Sequence, residues 1–114
     1  MKNASVRDAC FQYGLCWNWL PSRKREGLIS KELEEELEKN VTELRPFLCE
    51  KLGVPEDTSW EELWSICGLL ISDKLTEEEE QKRYRETSSI ELTGRSLELY
   101  EELHDIRYRI TGQF

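Results

Sequence analysis

Few side chains in this chain are suited to covalent or metal chemistry: four cysteines (Cys10, Cys16, Cys49 and Cys67), one histidine (His104) and an abundance of carboxylates. A nucleophilic cysteine or serine needs a base beside it, so any Cys–His pair must use His104, and no spacing in the sequence favours one. Cys49 and Cys67 fall among apolar residues and are expected to fill the core, as free cysteine most often does. Cys10 and Cys16 match none of the short Cys-x-x-Cys spacings of zinc sites. Glu101-x-x-His104 is the spacing at which one helix offers two ligands to a metal. Di-iron bundles need two such motifs and further glutamates, and this chain has no second histidine.

The carboxylates make a second pattern, Glu77-x-x-Glu80 followed by Glu102-x-x-Asp105 in the context Tyr100-Glu101-Glu102-Leu103-His104-Asp105-Ile106. This pattern resembles the magnesium site of the all-α nucleotide pyrophosphohydrolases, in which paired helices present four carboxylates to a metal that holds the phosphate chain. The resemblance implies Mg²⁺ as cofactor, in keeping with its preference for oxygen ligands. It supplies the alternative function, a Mg²⁺-dependent nucleotide hydrolase using Glu77, Glu80, Glu102 and Asp105.

Charge and aromatic content point elsewhere. Residues 1–29 carry five basic and two acidic groups, which leaves −11 for residues 30–114 against a total of −8. Such a surface repels phosphates and anionic lipids, because their binding depends on Lys and Arg displacing counterions. A basic or uncharged protein partner is expected instead, steered by the acidic face of Glu32, Glu35 and Glu36. The basic run Arg23-Lys24-Arg25 lies close behind Trp17 and Trp19, where indoles could stack on bases, yet three charges are few for nucleic acid. That run is read as a solvated polar loop, Ser22 to Gly27, with nucleic-acid binding the weaker option. Four Trp residues are many for a core this small, and Trp17 and Trp19 are candidates for an interface with a partner or with a second copy of the chain.

The N-terminus, with Lys2, Arg7 and Asp8, places charges where a signal peptide needs an apolar run. No stretch approaches the ~20 apolar residues of a membrane span. A cytoplasmic location with reduced thiols is therefore expected.

The elements that would position these residues are helical. Ser30 is a good N-cap, and Leu33, Leu37, Val41, Leu44 and Leu48 then recur every three or four residues. Pro46 should kink or restart that helix, and Gly53 should end it. Ser59 with Glu62 forms a capping box. Trp60, Leu63, Trp64, Cys67, Leu70, Ile71 and Leu75 then share one face, which predicts a central core helix over 59–75. Thr76 caps a further helix in which only Tyr84 looks buried, and Leu99, Leu103, Ile106 and Ile110 mark a last one ending near Gly112.

The residues around Phe11 to Trp19 alternate as a strand would, while Val6, Cys10, Tyr13, Trp17 and Leu20 share a helical face. Ile90-Glu91-Leu92 is too short to supply a sheet, so the segment is read as a helix ending at Pro21. The expected fold is a single all-α domain over residues 1–114, an irregular bundle of four or five short helices. The expected function is that of a small acidic non-enzymatic protein-binding module, an adaptor, inhibitor or accessory subunit, with no cofactor.

Overall fold

A computed structural model describes residues 3–69 and 75–112. It is all-α, with five helices: α1 (Val6–Arg25), α2 (Lys31–Leu52), α3 (Trp60–Ile66), α4 (Glu77–Ser88) and α5 (Gly94–Thr111). Each start is written in the sequence. Ser5, Ser30, Ser59 and Thr76 each accept a hydrogen bond from a backbone N–H in the first turn of α1 to α4 respectively, satisfying donors that a helix leaves without intrahelical partners. At α1 the cap is reciprocal, because Asp8 accepts from the Ser5 N–H at 2.8 Å while its own N–H donates to Ser5 Oγ at 3.2 Å.

The chain packs around α1, which touches each of the other four helices. Gln12 meets Arg107 and Arg23 meets Thr111, so α1 and α5 run in the same direction. Lys24 meets Glu34 in α2, while Glu43 and Glu36 of α2 meet Arg95 and Arg109 of α5. Helix α2 is therefore antiparallel to both. Val6, Cys10 and Cys16 of α1, Leu44 and Leu48 of α2, Leu63 of α3 and Leu99 and Leu103 of α5 are fully buried in one contiguous core. Each large apolar side chain so buried contributes on the order of 1.5–3 kcal/mol.

Ile90–Leu92 does pair with the N-terminal segment, though only through a single bridge. Leu92 donates its N–H to Ala4 O at 2.8 Å, and the Val6 N–H donates to Ile90 O at 2.9 Å, around the antiparallel bridge Ser5–Glu91. The clasp ties the start of α1 to the α4–α5 connection.

Several boundaries differ from the sequence reading. Helix α1 continues through Pro21, and Ser22 to Arg25 form its last turn rather than a polar loop. Proline removes one backbone donor there, while the N–H groups of Glu26 and Leu28 still reach the carbonyls of Ser22 and Arg23. Arg23 anchors the extension by donating to Thr111 O at 2.8 Å and stacking on Trp19. Helix α2 likewise runs without a restart past Pro46, held by the fully buried Leu44 and Leu48 on either side.

The helix predicted over 59–75 is short, α3 alone, and the central position belongs to α1. Gly68 stops it in the left-handed conformation, φ +70°, and a Cβ there would stand 3.1 Å from Glu80 O and 3.3 Å from Tyr84 N. The backbone of α4 closes over that glycine. Leu70 and Ile71 lie outside the described residues, and Leu75 is half-buried. In α4 the buried residue is Thr87, whereas Tyr84 is exposed beneath the Arg7 guanidinium, 3.8 Å from its ring centre.

Candidate functional site

Large side chains line the seam between α1 and α2. Tyr13, on the core side of α1, stacks on Trp60 of α3 with ring centres 4.0 Å apart and on Trp17 with centres 6.3 Å apart. Trp64 leans on the same tyrosine at 6.0 Å. Tyr13, Trp17 and Leu20 form one wall of a groove of about 240 Å³, and Leu37, Val41, Glu34 and Glu38 of α2 form the other. The groove runs on past Trp17 and Leu20 to a shallow apolar shelf bounded by Pro21, Lys24 and Arg25. An ion pair between Lys24 and Glu34, 2.6 Å long, ties the two walls at that end.

Trp17 is the exposed member of this array, with 56% of its surface open to solvent. Burial pushes the Tyr13 hydroxyl above the ordinary phenol range, so its ring stays a neutral platform. The groove is apolar at its floor and acidic along one rim. Its walls carry no histidine or cysteine, and an aromatic cleft of this kind is suited to holding an apolar side chain or helix face.

The structure separates the residues that the sequence placed together. Trp17 faces solvent at the groove, whereas Trp19 points to another side of α1, packs against the core and is covered by Arg23 at 4.9 Å. Glu32, Glu35 and Glu36 are all exposed, but Glu36 is occupied by Arg109 at 2.8 Å. Of the basic run, Arg23 is committed to Thr111 O and Lys24 to Glu34.

The four carboxylates of the magnesium-site pattern do not converge. Glu77 lines a shallow depression on α4, and Glu80 sits half-buried on the same helix with its carbonyl over Gly68. Glu102 and Asp105 instead face α2, where Arg95 lies 3.8 Å from Glu102 and Arg109 lies 3.2 Å from Asp105. No group of three or more acidic, histidine or cysteine side chains among the described residues is arranged to hold a metal ion. The reason is topological: α4 packs on α1, at a different side of the bundle from the α2–α5 seam.

His104 lies in a row of rings on α5, edge-on to Tyr108 at 4.6 Å and tilted against Tyr100 at 6.1 Å. All four cysteines are buried and unbridged. Cys16 shows what burial does to such a group, its pKa being pushed up to about 12 by desolvation, with Arg107 opposing.

Sequence reasoning missed two features. Tyr13 is the centre of the aromatic array, and its i, i+4 spacing to Trp17 was the available signal. Asn40 is only 3% exposed in the α2–α5 seam, where Nδ2 donates to Leu99 O at 3.0 Å and Oδ1 has no partner. A lone Asn within a run of charged residues gives no sign of that burial.

No protein family, curated protein or solved structure matches this chain. No helix among the described residues is long and apolar enough to cross a membrane.

Proposed function

We propose that this protein is a non-enzymatic binding module that holds an amphipathic helix of a basic or uncharged protein in the α1–α2 groove. The observation that carries the reading is the exposure of Trp17 at 56% in a cleft otherwise built of Tyr13, Leu20, Leu37 and Val41. Large apolar side chains in a cleft with polar rims are the common anchor of protein interfaces. Glu38 on the rim, within the −11 carried by residues 30–114, favours basic residues beside the partner's apolar stripe, while Glu34 is already paired with Lys24. The partner inserts an apolar residue against Trp17, and its flanking Lys or Arg side chains lie along α2.

The test titrates basic and acidic amphipathic helical peptides of equal hydrophobicity into the protein, following tryptophan fluorescence and backbone amide NMR shifts. Basic peptides are expected to bind more tightly, with shifts confined to the residues of the groove, and Trp17→Ala is expected to weaken binding by roughly 30-fold, the scale of an interface hot spot. Light scattering on the peptide-free protein separates the competing occupant: a dimer that Trp17→Ala makes monomeric assigns the groove to a second copy of the chain. Shifts that map to the α2–α5 seam, or equal affinity for both peptide charges, would overturn the proposal.

A further inference from the structure

Apart from the groove, the structure brings together a pair of thiols beneath α4. Cys10, one turn before the aromatic array on α1, and Cys67, at the C-terminal cap of α3, have their sulfurs 3.6 Å apart, close enough for an S–H···S hydrogen bond. Both are fully buried, and they belong to different helices separated by 57 positions in the chain. Cys16 and Cys49 have other surroundings. Cys49 points its thiol at Glu56 O, 3.9 Å away, and neither it nor Cys16 is bridged.

We propose that Cys10 and Cys67 form an oxidisable dithiol, converted reversibly to a disulfide by small peroxides and restored by small thiols. Three features of the site support this. The sulfurs are already in contact, so bond formation requires a movement of roughly 1.5 Å to reach the S–S bond length. A pocket of about 240 Å³ lies against Cys10 beside Phe11, Gly14, Trp64 and Leu69, so although neither cysteine exposes surface, only a local opening of that lining separates a small oxidant from Cys10. Arg7 is the third. Its guanidinium lies over Tyr84, and its positive charge acts on Cys67.

The charge distribution agrees with that geometry. The hydrogen bond shared with Cys10, with help from Thr87 and the positive charge of Arg7, holds Cys67 below the ordinary thiol range, while the same contact and burial push Cys10 up. The two sulfurs are thus shifted in opposite directions, an asymmetry that suits a two-step oxidation.

In the first step one sulfur, as its thiolate, attacks an oxygen of the peroxide. The O–O bond breaks, the sulfur keeps the hydroxyl as a sulfenic acid, and the expelled hydroxide takes up the proton the thiol lost, leaving as water. In the second step the other sulfur attacks the sulfenic sulfur, the S–S bond forms, and the hydroxyl leaves with the second thiol's proton as water. The pair gives up two electrons and two protons, and hydrogen peroxide becomes two molecules of water. The product ties α3 to α1 behind Tyr13 and Trp60.

The experiment treats the full chain, folded and in concentrated guanidinium, with a small excess of hydrogen peroxide, then alkylates the remaining thiols and maps the peptides by mass spectrometry. The folded protein is expected to lose two of its four thiols and yield the Cys10–Cys67 peptide alone, reversibly with dithiothreitol. The unfolded chain is expected to give mixed pairings. Oxidation should also raise Tm, by roughly 10 °C for a cross-link closing a loop this long. A Cys16→Ser/Cys49→Ser variant should behave as the parent does, and Cys67→Ser should leave no intramolecular disulfide. The proposal fails if the folded protein keeps all its thiols, if it gives the mixed pairings of the unfolded chain, or if Cys10 and Cys67 go to sulfinic or sulfonic acid unlinked. The mapping of the parent protein decides the matter even where a cysteine variant does not fold.

Discussion

Helix α2 has two flanks, and they are finished in opposite ways. Towards α5 it presents Glu36, Lys39, Asn40 and Glu43, and the facing helix answers with Arg95 and Arg109. Arg95 forks onto both oxygens of Glu43 at 3.0 and 3.1 Å, and Arg109 spans Glu36 and Asp105. Towards α1 the same helix presents Leu37 and Val41 between Glu34 and Glu38; both are covered by the facing Tyr13, Trp17 and Leu20, and Trp17 is left 56% exposed at the edge. The first seam is polar and its arginines are paired with carboxylates inside it, with the buried Asn40 Oδ1 the exception. The second is apolar with an open edge at Trp17, and that exposed ring is the reason the proposed partner is placed there.

The change expected to break both flanks at once is Leu44→Ala. Leu44 is fully buried beneath them, and its truncation should cost about 2–5 kcal/mol in urea unfolding. A loss under 1 kcal/mol would mean that α2 does not form the floor of the two seams. Next in size is Asn40→Asp, which removes the donor to Leu99 O and places a carboxyl among Glu36, Glu43 and Glu102. The expected cost near pH 7 is about 1–3 kcal/mol. The introduced carboxyl has a folded-state pKa above its unfolded value, so the deficit should grow as pH rises through that range and shrink in acid. A deficit independent of pH would show that the seam is wetter than its burial indicates.

A smaller effect is expected from Arg95→Ala. Its guanidinium, first by hydrogen bonding and then by charge, holds the Glu43 carboxyl below the usual range. A group depressed in the folded state contributes stability above its unfolded pKa and loses it as pH falls through the folded one. The parent should therefore lose stability below about pH 4 more steeply than Arg95→Ala does. Both carboxylate and guanidinium are solvent-exposed, so the contrast should fade in about 1 M salt. Smallest of all is the folding cost of Trp17→Ala, expected at about 0.5 kcal/mol because the ring lies largely in solvent. If calorimetry instead gave a loss as large as that of Leu44→Ala, Trp17 would belong to the core and the open flank would not exist as described.

Much of this arrangement was legible in the residues themselves. Ser30, the Leu33–Leu48 repeat and Gly53 marked α2 from cap to cap, and Leu99, Leu103, Ile106 and Ile110 marked the buried stripe of α5. Pro21 and Pro46 misled because each costs one backbone bond, a local penalty that tertiary anchors such as Arg23 on Thr111 outweigh. Gly68 went unweighted because the need for it arises from α4, whose backbone is distant in sequence and only 3.1 Å away in space. The candidate site was half legible: Trp17 stood out, but its separation from Trp19 required knowing which face of α1 the other helices cover.

By itself the sequence determined the all-α class, the caps and the apolar stripe of each long helix, because these depend on hydrogen bonds and periodicities that operate within a few residues. It also determined the charge of the surface, which is a sum over side chains. Only the tertiary structure decided what met what. It placed α1 at the centre, turned Glu102 and Asp105 towards arginines rather than towards Glu77, set Cys10 against Cys67, and left Trp17 exposed at the edge of the α1–α2 seam. Those outcomes depend on how five helices share one core, and contacts between residues tens of positions apart carry no signature in local spacing.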